Sequence, residues 1–356
     1  MLNHRAYAKI DLDALHHNLQ FIKRLHPHKL IIAMLKADAY GHGAINIAKS
    51  LDGHCDYFGV ASVEEGIELK THGILQTKIM IFSGFFHTDQ LPSLIKFDLI
   101  PIIHSRYQYE LLEDYFSHKN SEIWLKINTG MNRLGMNEQD FNALYHELKA
   151  KYQQPIHVLT HLAESENADQ TFTNRQLDCF YHLIKDKKLG HISAFNSAAT
   201  LRHPFNNHGN TIRIGIALYG IKTMDDNASD RLNPVMEVCA HVIAIQHLKK
   251  GDSVGYNRLY IADEETKIAI ICFGYGDGYP QFAPNGTPVM INNRLYPTAG
   301  KISMDLMAVD IGSDPIEIGA PVTLFGKTLP LSELAAKIGT SPYAMMTAIN
   351  PRVKRC

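Results

Sequence analysis

"KLIIAMLKADAYGHG", Lys29 to Gly43, carries an apolar run from Leu30 to Leu35 into a lysine, then into small residues and two glycines. That order reads as a strand, a turn and the start of a helix. Lysine is strongly hydrated and seldom belongs on a buried strand. Taken alone, Lys36 is an ordinary solvated strand-end residue. What surrounds it decides whether it is more.

The same texture recurs along the chain. Strand-like runs follow at "YFGVAS", "KIMIFS", "LIPIIH", "EIWLKI", "IHVLTH", "HISAFN" and "TIRIGI", the last ending at Ile216. Amphipathic segments such as "RYQYELLEDYFSHK" and "DFNALYHELKAKY" fall between them. The segment "DLDALHHNLQFIKRL" precedes the first run and reads as a helix that Asp11 or Asp13 caps. Eight strands alternating with helices predict an α/β fold of the (β/α)8, TIM-barrel type. A doubly wound open sheet competes, but no Gly-x-Gly-x-x-Gly turn follows the first strand.

From about Asn233 the pattern shifts to short β-rich runs broken by Gly, Pro and Asn: "VMEVCAHVIAIQHL", "KIAIICFGYG", "TPVMINNRLYPTAG", "LMAVDIG" and "APVTLFG". They predict a C-terminal, mainly antiparallel β domain, with helical turns at "SELAAKIG" and "PYAMMTAI". The polar linker "KTMDDNASDRLNP" sets the boundary: a barrel over 1–230 and a β domain over 231–356. Roughly the first ten residues are free to join the β domain.

The 356 residues carry a formal net charge of -1, which gives no support for binding nucleic acid or an anionic membrane. The opening residues lack a signal-type apolar core, and no run reaches the roughly 18 apolar residues of a membrane span. Cys55, Cys179, Cys239, Cys272 and Cys356 are scattered, which suits a reducing cytoplasm better than a disulfide framework or a zinc site. The 20 histidines form no metal-ligand pattern, so no metal is expected.

In a barrel of this kind chemistry sits at the C-terminal strand ends, and phosphate is often held after strands seven and eight. Lys36 and Tyr40 follow the first strand, and His161 ends the sixth. Ser197 follows the seventh and opens a helical turn; Arg213, Gly215 and Ile216 belong to the eighth. A serine at a helix start, a glycine backbone and a tyrosine hydroxyl together can bind phosphate. A simple helix cap is the plainer reading of "FNSAAT". A phosphate cradle combined with a strand-end lysine points to an aldehyde cofactor with a phosphate tail, pyridoxal 5'-phosphate (PLP).

"KADAYGHG", "KINTGMNRLG", "RIGIALYG", "GDSVGYNRLY", "GYGDGYP" and "AGKISMD" resemble, in order, blocks of the bacterial alanine racemases. The resemblance spans nearly the whole chain. It implies a PLP-dependent isomerase that interconverts L- and D-alanine with two bases, supplies D-alanine for peptidoglycan, and works as a homodimer. It implies that Lys36 carries the cofactor and is one base. Tyr256, reaching the partner's site, is the other. Tyr40, Ser197, Gly215 and Ile216 match phosphate contacts. Arg213 matches the arginine facing the pyridine nitrogen, and His161 the histidine linking it to the tyrosine. Arg133 resembles the arginine near the cofactor phenolate and substrate carboxylate. Lys126 matches a lysine often carbamylated, which would orient Arg133. Met304 and Asp305 match positions lining the substrate end, and Tyr275 a tyrosine of the access channel.

The chain departs from the family pattern in several places. Asp38 stands for the usual Asn, Asn128 for Asp, and Asn257 for a common Gly. Pro351 stands where some members carry a tyrosine on the phosphate side, so no C-terminal residue is assigned to the phosphate.

Racemisation removes an α-proton from one face and returns it to the other, so one base per face is the direct solution. Lysine must be neutral and tyrosine ionised to serve, and their reference pKa values of roughly 10.4 and 10 both need lowering. Alternatives are a broader or serine-directed racemase of the same fold and a non-catalytic PLP-binding protein. The β domain that supplies Tyr256 favours catalysis over the last.

Overall fold

The computed structural model describes residues 4–118, 122–203, 209–224 and 227–356. The described chain opens with a short strand, β1 (Tyr7–Ile10), and the helix Leu12–Leu25. Asp11 caps that helix, its carboxylate accepting the N–H of Ala14 at 2.8 Å, while Asp13 lies in the first turn. This decides between the two aspartates.

The next eight strands are β2 (Leu30–Met34), β3 (Tyr57–Val60), β4 (Lys78–Ile81), β5 (Leu99–Ile103), β6 (Ile123–Lys126), β7 (Ile156–Leu159), β8 (Ile192–Ser193) and β9 (Thr211–Ile214). They form one parallel sheet in the order β8-β7-β6-β5-β4-β3-β2-β9. The ends of this order meet: the N–H of Asn210 donates to Ile192 O at 3.1 Å and that of Arg213 to Phe195 O at 3.0 Å. The predicted barrel is therefore present, and each strand expected from the sequence takes part. β3, β5, β6, β7 and β9 are buried along their whole length. Parallel strands sealed on both faces need such continuous apolar runs.

Helices follow the strands, and polar caps set where they start. Ser62, Asn137 and Asn196 each accept a backbone N–H in the first turn of the helices Val63–Thr71, Glu138–Lys151 and Ser197–Arg202.

The remaining strands are β10 (Met236–Leu248), β11 (Ser253–Val254), β12 (Tyr260–Ile261), β13 (Thr266–Ile271), β14 (Pro288–Ile291), β15 (Arg294–Pro297), β16 (Met307–Gly312), β17 (Pro321–Phe325) and β18 (Lys354–Arg355). β10 organises them. Its first half pairs antiparallel with β1 and β17, and its second half with β13, with a register shift between Val242 and Ala244. The β14–β15 hairpin turns through Asn292 and Asn293, both at positive φ, as a tight hairpin turn requires. β18 lies parallel to β1, so both ends of the described chain sit in this second sheet. The helices Leu331–Ile338 and Pro342–Thr347 stand where helical turns were expected. No helix among the described residues is long and apolar enough to cross a membrane.

Candidate active site

Lys36 leaves the C-terminal end of β2 and enters a turn whose left-handed path the sequence does not announce. Ala37, Asp38, Ala39 and Tyr40 all hold left-handed helical angles, with φ of 52, 54, 52 and 54°. The order strand, turn and helix start is as read from the sequence, with the right-handed helix beginning at Ala44; the left-handed path of the turn was not expected. Left-handed geometry costs an L-residue about 1–2 kcal/mol, so four in a row store on the order of 4–8 kcal/mol. Nothing in Ala-Asp-Ala-Tyr prefers it strongly, so the surroundings must impose it.

They do so at both ends. Glu65 accepts the N–H of Ala37 at 2.8 Å. The Nδ1 of buried His42 lies 3.0 Å from the carbonyl oxygens of both Ala39 and Tyr40, so it carries the proton and donates to them. Asp38 accepts the N–H of Ala44 at 2.7 Å, and the Arg355 Nε donates to Gly41 O at 3.0 Å. Gly41 has φ of 80°, and a Cβ there would fall 2.1 Å from Met346 O. Only glycine lets the helix Pro342–Thr347 pack this closely on the turn.

The turn lines a pocket of about 480 Å³ at the C-terminal ends of the barrel strands. Lys36, Tyr40, Lys126, Arg133, His161, Ser197, Arg213, Gly215 and Ile216 share it. On one side the Ser197 Oγ accepts the N–H of Gly215 at 2.9 Å and that of Ala217 at 3.4 Å. A Cβ on Gly215 would meet the Tyr40 hydroxyl at 2.5 Å, so the glycine keeps backbone and phenol close together. Burial pushes the Tyr40 phenol up to about 12, which keeps it a neutral donor.

On the other side Arg213 is fully buried and held from several directions. Its guanidinium donates to Ser193 O and Oγ at 3.0 and 2.7 Å, to Thr160 O at 2.6 Å and to Ala194 O at 3.1 Å. It also lies 3.3 Å from the His161 Nδ1. A guanidinium has no acceptor, so Nδ1 must accept, which leaves the imidazole proton on Nε2. Burial first, then Arg213, Arg133, Lys126 and Lys36, hold His161 well below its ordinary value, so it is neutral. Burial lowers Arg213 to about 10, which still leaves it charged at neutral pH.

Lys126 ends β6, buried in the same pocket. Desolvation, then Arg213, Arg133 and Lys36, bring its amine down to about 8. Lys36 is lowered for the same reasons, burial first and Arg133 second, with Glu65 opposing. Asn128 shapes the loop beyond Lys126: its Oδ1 accepts the N–H of Gly130 at 3.1 Å and of Asn132 at 3.0 Å.

Tyr256, Tyr275, Met304 and Asp305 stand apart from this pocket, on the β unit. Tyr256 opens a short helical turn and is 66% exposed; Met304 is 54% exposed. Asn257 has φ of 59°, the conformation that explains a glycine at this place and that asparagine tolerates. Arg352 and Arg5 fix the loop of Met304 and Asp305: Arg352 Nη2 donates to Asp305 Oδ1 at 2.8 Å and Arg5 Nη1 to Asp305 O at 2.9 Å. Both arginines also pair with buried Asp277 of "GYGDGYP".

Tyr343 and Glu166 are among the pocket residues that the sequence reading did not name. Tyr343 lines the pocket, its ring 6.0 Å from that of Tyr40, and its hydroxyl lies 3.4 Å from Glu166. The sequence reading left open which C-terminal residue reaches this region, and Tyr343 is the tyrosine that does. The helix Pro342–Thr347 packs on the turn and carries this tyrosine there. Glu166 lies in the loop after β7, and burial raises its carboxyl. The polar stretch "AESENADQ" gave no sign of which acid would face inward.

The family model "Alanine racemase, N-terminal domain" matches residues 10–223, and "Alanine racemase, C-terminal domain" matches residues 235–356. The alanine racemase of Shewanella sediminis is 40% identical over 354 residues, covering 98% of each chain. That of Coxiella burnetii is 39% identical over 360 residues, again covering 98% of each. Among solved structures, the biosynthetic alanine racemase of Pseudomonas aeruginosa superposes with a TM-score of 0.94 at 32% identity, over 99% of both chains. The alanine racemase of Bartonella henselae, solved with covalently bound pyridoxal phosphate, gives a TM-score of 0.88 at 28% identity, over 99% of both.

Proposed function

The chain belongs to the alanine racemase family, and from that premise we propose that it interconverts L- and D-alanine with PLP held in the barrel pocket. The observation that carries this reading is the pocket itself. A lysine of lowered basicity shares it with a neutral histidine and a buried arginine, beside the Ser197–Gly215–Tyr40 cradle.

The residues fit PLP. Tyr40, Ser197 and the backbone at Gly215 and Ile216 offer donors suited to a phosphate ester, and the glycine leaves the room. Lys36 offers the amine for the aldehyde. When bound, PLP supplies a carbonyl that joins an amine and a conjugated ring that acidifies the α-proton of an attached amino acid.

Lys36 takes or returns that proton at Nζ on one face. Its lowered basicity raises the fraction of free amine near neutral pH. Tyr256 serves the other face at its phenolic oxygen, from the second subunit of a twofold dimer. The His161 Nε2–H can donate to the oxygen of the partner's Tyr256 and favour its anion, while Arg213 holds His161 by Nδ1. Arg213 also presents only donors to a pyridine nitrogen, so it offers that nitrogen no strong acid. Arg133 is suited to the substrate carboxylate. Met304 and Asp305 complete the substrate end, and Tyr275 lines the approach. Lys126, with its amine near 8, can take up carbon dioxide as a carbamate, turning a cation beside Arg133 into an anion.

The same reading divides the chain into a barrel over 1–230 and a β domain over 231–356, and puts the enzyme in the cytoplasm, where D-alanine is supplied for peptidoglycan. The test is to assay the purified, PLP-loaded protein on a panel of L-amino acids, following inversion and α-proton exchange with solvent. Alanine should invert fastest. No inversion or exchange with alanine would overturn the proposal, and a faster reaction with serine would move it to the broader racemase.

A further inference from the structure

Glu65 does something that its local sequence does not require. "SVEE", Ser62 to Glu65, has the spacing of a helix capping box, and Ser62 accepts the Glu65 N–H at 3.4 Å. In that motif the glutamate turns back to the N–H of the capping serine. Here its Oε2 accepts the N–H of Ala61 at 2.6 Å, and its Oε1 reaches across to the N–H of Ala37 at 2.8 Å. One carboxylate thus ties the exit of β3 to the exit of β2, at the residue directly after Lys36.

We propose that Glu65 is the positioning residue of Lys36: its carboxylate fastens the left-handed turn and fixes where the lysine leaves the strand. The inference rests on the reading of Lys36 as the cofactor lysine. Ala37 opens a stretch of four residues at positive φ, and its N–H points to a side chain rather than into the barrel ladder. Without an acceptor there, the first residue of the strained turn loses its anchor, and a right-handed path becomes the cheaper one. Glutamate suits this because both oxygens accept, and both groups facing them are N–H donors. Glutamine would turn an NH2 group toward one of the two.

The carboxylate also acts on Lys36 through charge. Lys126, Arg133, His161, Arg213, Tyr40 and Glu166 share the pocket with Lys36. Burial and Arg133 lower its basicity, and Glu65 raises it. Glu65 therefore limits how far the amine is depressed. A residue with only a scaffolding role would leave that balance untouched.

The experiment uses the apoprotein in four forms: wild type, Glu65→Gln, Glu65→Ala, and Glu64→Gln as a control. Glu64 accepts from Gln90 at 3.1 Å, from Ser62 and from its own backbone N–H, whereas the N–H groups of Ala61 and Ala37 go to Glu65. Hydrogen exchange of the Leu35–Tyr40 peptide reads the anchor. The pH dependence of Lys36 labelling by trinitrobenzenesulfonate, mapped by mass spectrometry, reads the charge. The Ala37 amide should be protected in wild type and in Glu64→Gln, and should exchange on the order of tenfold faster or more once the charged acceptor is lost. The acid limb of Lys36 labelling should move to lower pH in Glu65→Gln. A labelling profile that changes in rate without moving along the pH axis would reduce Glu65 to a scaffolding residue and overturn the proposal. An unprotected Ala37 amide in wild type would overturn it even if both Glu65 variants failed to fold. Neither readout needs PLP. If Lys36→Ala still bound PLP covalently, the cofactor assignment would fall while these results stood.

Discussion

Acidification should weaken this fold through His42, and the size of the effect follows from its surroundings. The ring is fully buried, its centroid 4.4 Å from that of Tyr219 with the planes tilted by 31°, and Nδ1 is spent on two carbonyls of the left-handed turn. Nε2 has no hydrogen-bond partner among the described residues. A second proton would place a charge and an unmet donor in the core, so burial lowers the group from 6.5 to about 4. The folded state binds the proton less readily than the unfolded chain. The stability is intact above about 6.5, falls as pH drops toward 4, and levels off below it. At roughly 1.4 kcal/mol per pH unit the total loss is on the order of 3 kcal/mol, and at pH 5 it reaches about 2 kcal/mol. His26, His104, His157 and His191 are also lowered by burial and steepen the wild-type curve. The comparison with His42→Asn isolates one site. Urea unfolding at fixed protein concentration, at pH 8 and pH 5, gives the two differences. At pH 8 the variant should be less stable by about 1–3 kcal/mol, having lost bonds to the turn. At pH 5 the gap should shrink by about 2 kcal/mol. An equal gap at both pH values would refute the reasoning and mean that His42 titrates normally.

Three further outcomes are expected. Lys36→Ala should lose the PLP–protein linkage that borohydride can fix, together with essentially all racemisation; a retained linkage would assign the cofactor to another lysine. Lys36→Ala and Tyr256→Phe, each inactive alone, should regain about a quarter of wild-type activity after random subunit exchange, because half the dimers are mixed and each has one intact site. An inactive, PLP-loaded mixed dimer would return Tyr256 to its own subunit. Ala37→Gly should raise stability by roughly 0.5–1 kcal/mol, since strain of about 1–2 kcal/mol is relieved at an exposed residue against the entropy of a freer unfolded chain. A lower urea midpoint would argue against strain at this turn.

The barrel was legible because its strands are sealed on both faces. "LIPII" is buried at every position, and such a run leaves few other readings. The β unit was legible through its punctuation: Asn292 and Asn293 take the positive φ that their type favours. The left-handed turn was not legible, because its cause lies elsewhere in the chain. Ala37 is held by Glu65, Ala39 and Tyr40 by His42, and Gly41 is pressed by Met346. No local propensity encodes contacts that form only after the barrel closes. Tyr343 escaped for a related reason. "PYAMMT" reads correctly as a helix, but its pattern does not say that the tyrosine faces the mouth of the barrel. The strand-end positions of Lys36, His161 and Arg213 could be read from the fold alone, whereas the roles proposed for Arg133 and Tyr256 rest on the family resemblance.

The basic groups of the pocket are shifted first by burial and then by one another. Lys36, Lys126, Arg133 and Arg213 converge on one volume of about 480 Å³, and each disfavours a further positive charge on its neighbours. Arginine cannot respond by giving up its proton at neutral pH; Arg213 stays charged even at about 10. The response therefore falls on the softer groups. His161 becomes neutral, which frees Nδ1 to accept from Arg213 and leaves a proton on Nε2 to donate. Lys126 falls to about 8, and Lys36 falls as far as Glu65 permits. The lowered basicity of Lys36 and the neutral state of His161 thus share their causes: burial comes first, and repulsion among the basic groups adds to it. Replacing Arg213 by a neutral residue should undo this: His161 and Lys126 would both recover part of their basicity, and the histidine would lose the partner that fixes its tautomer.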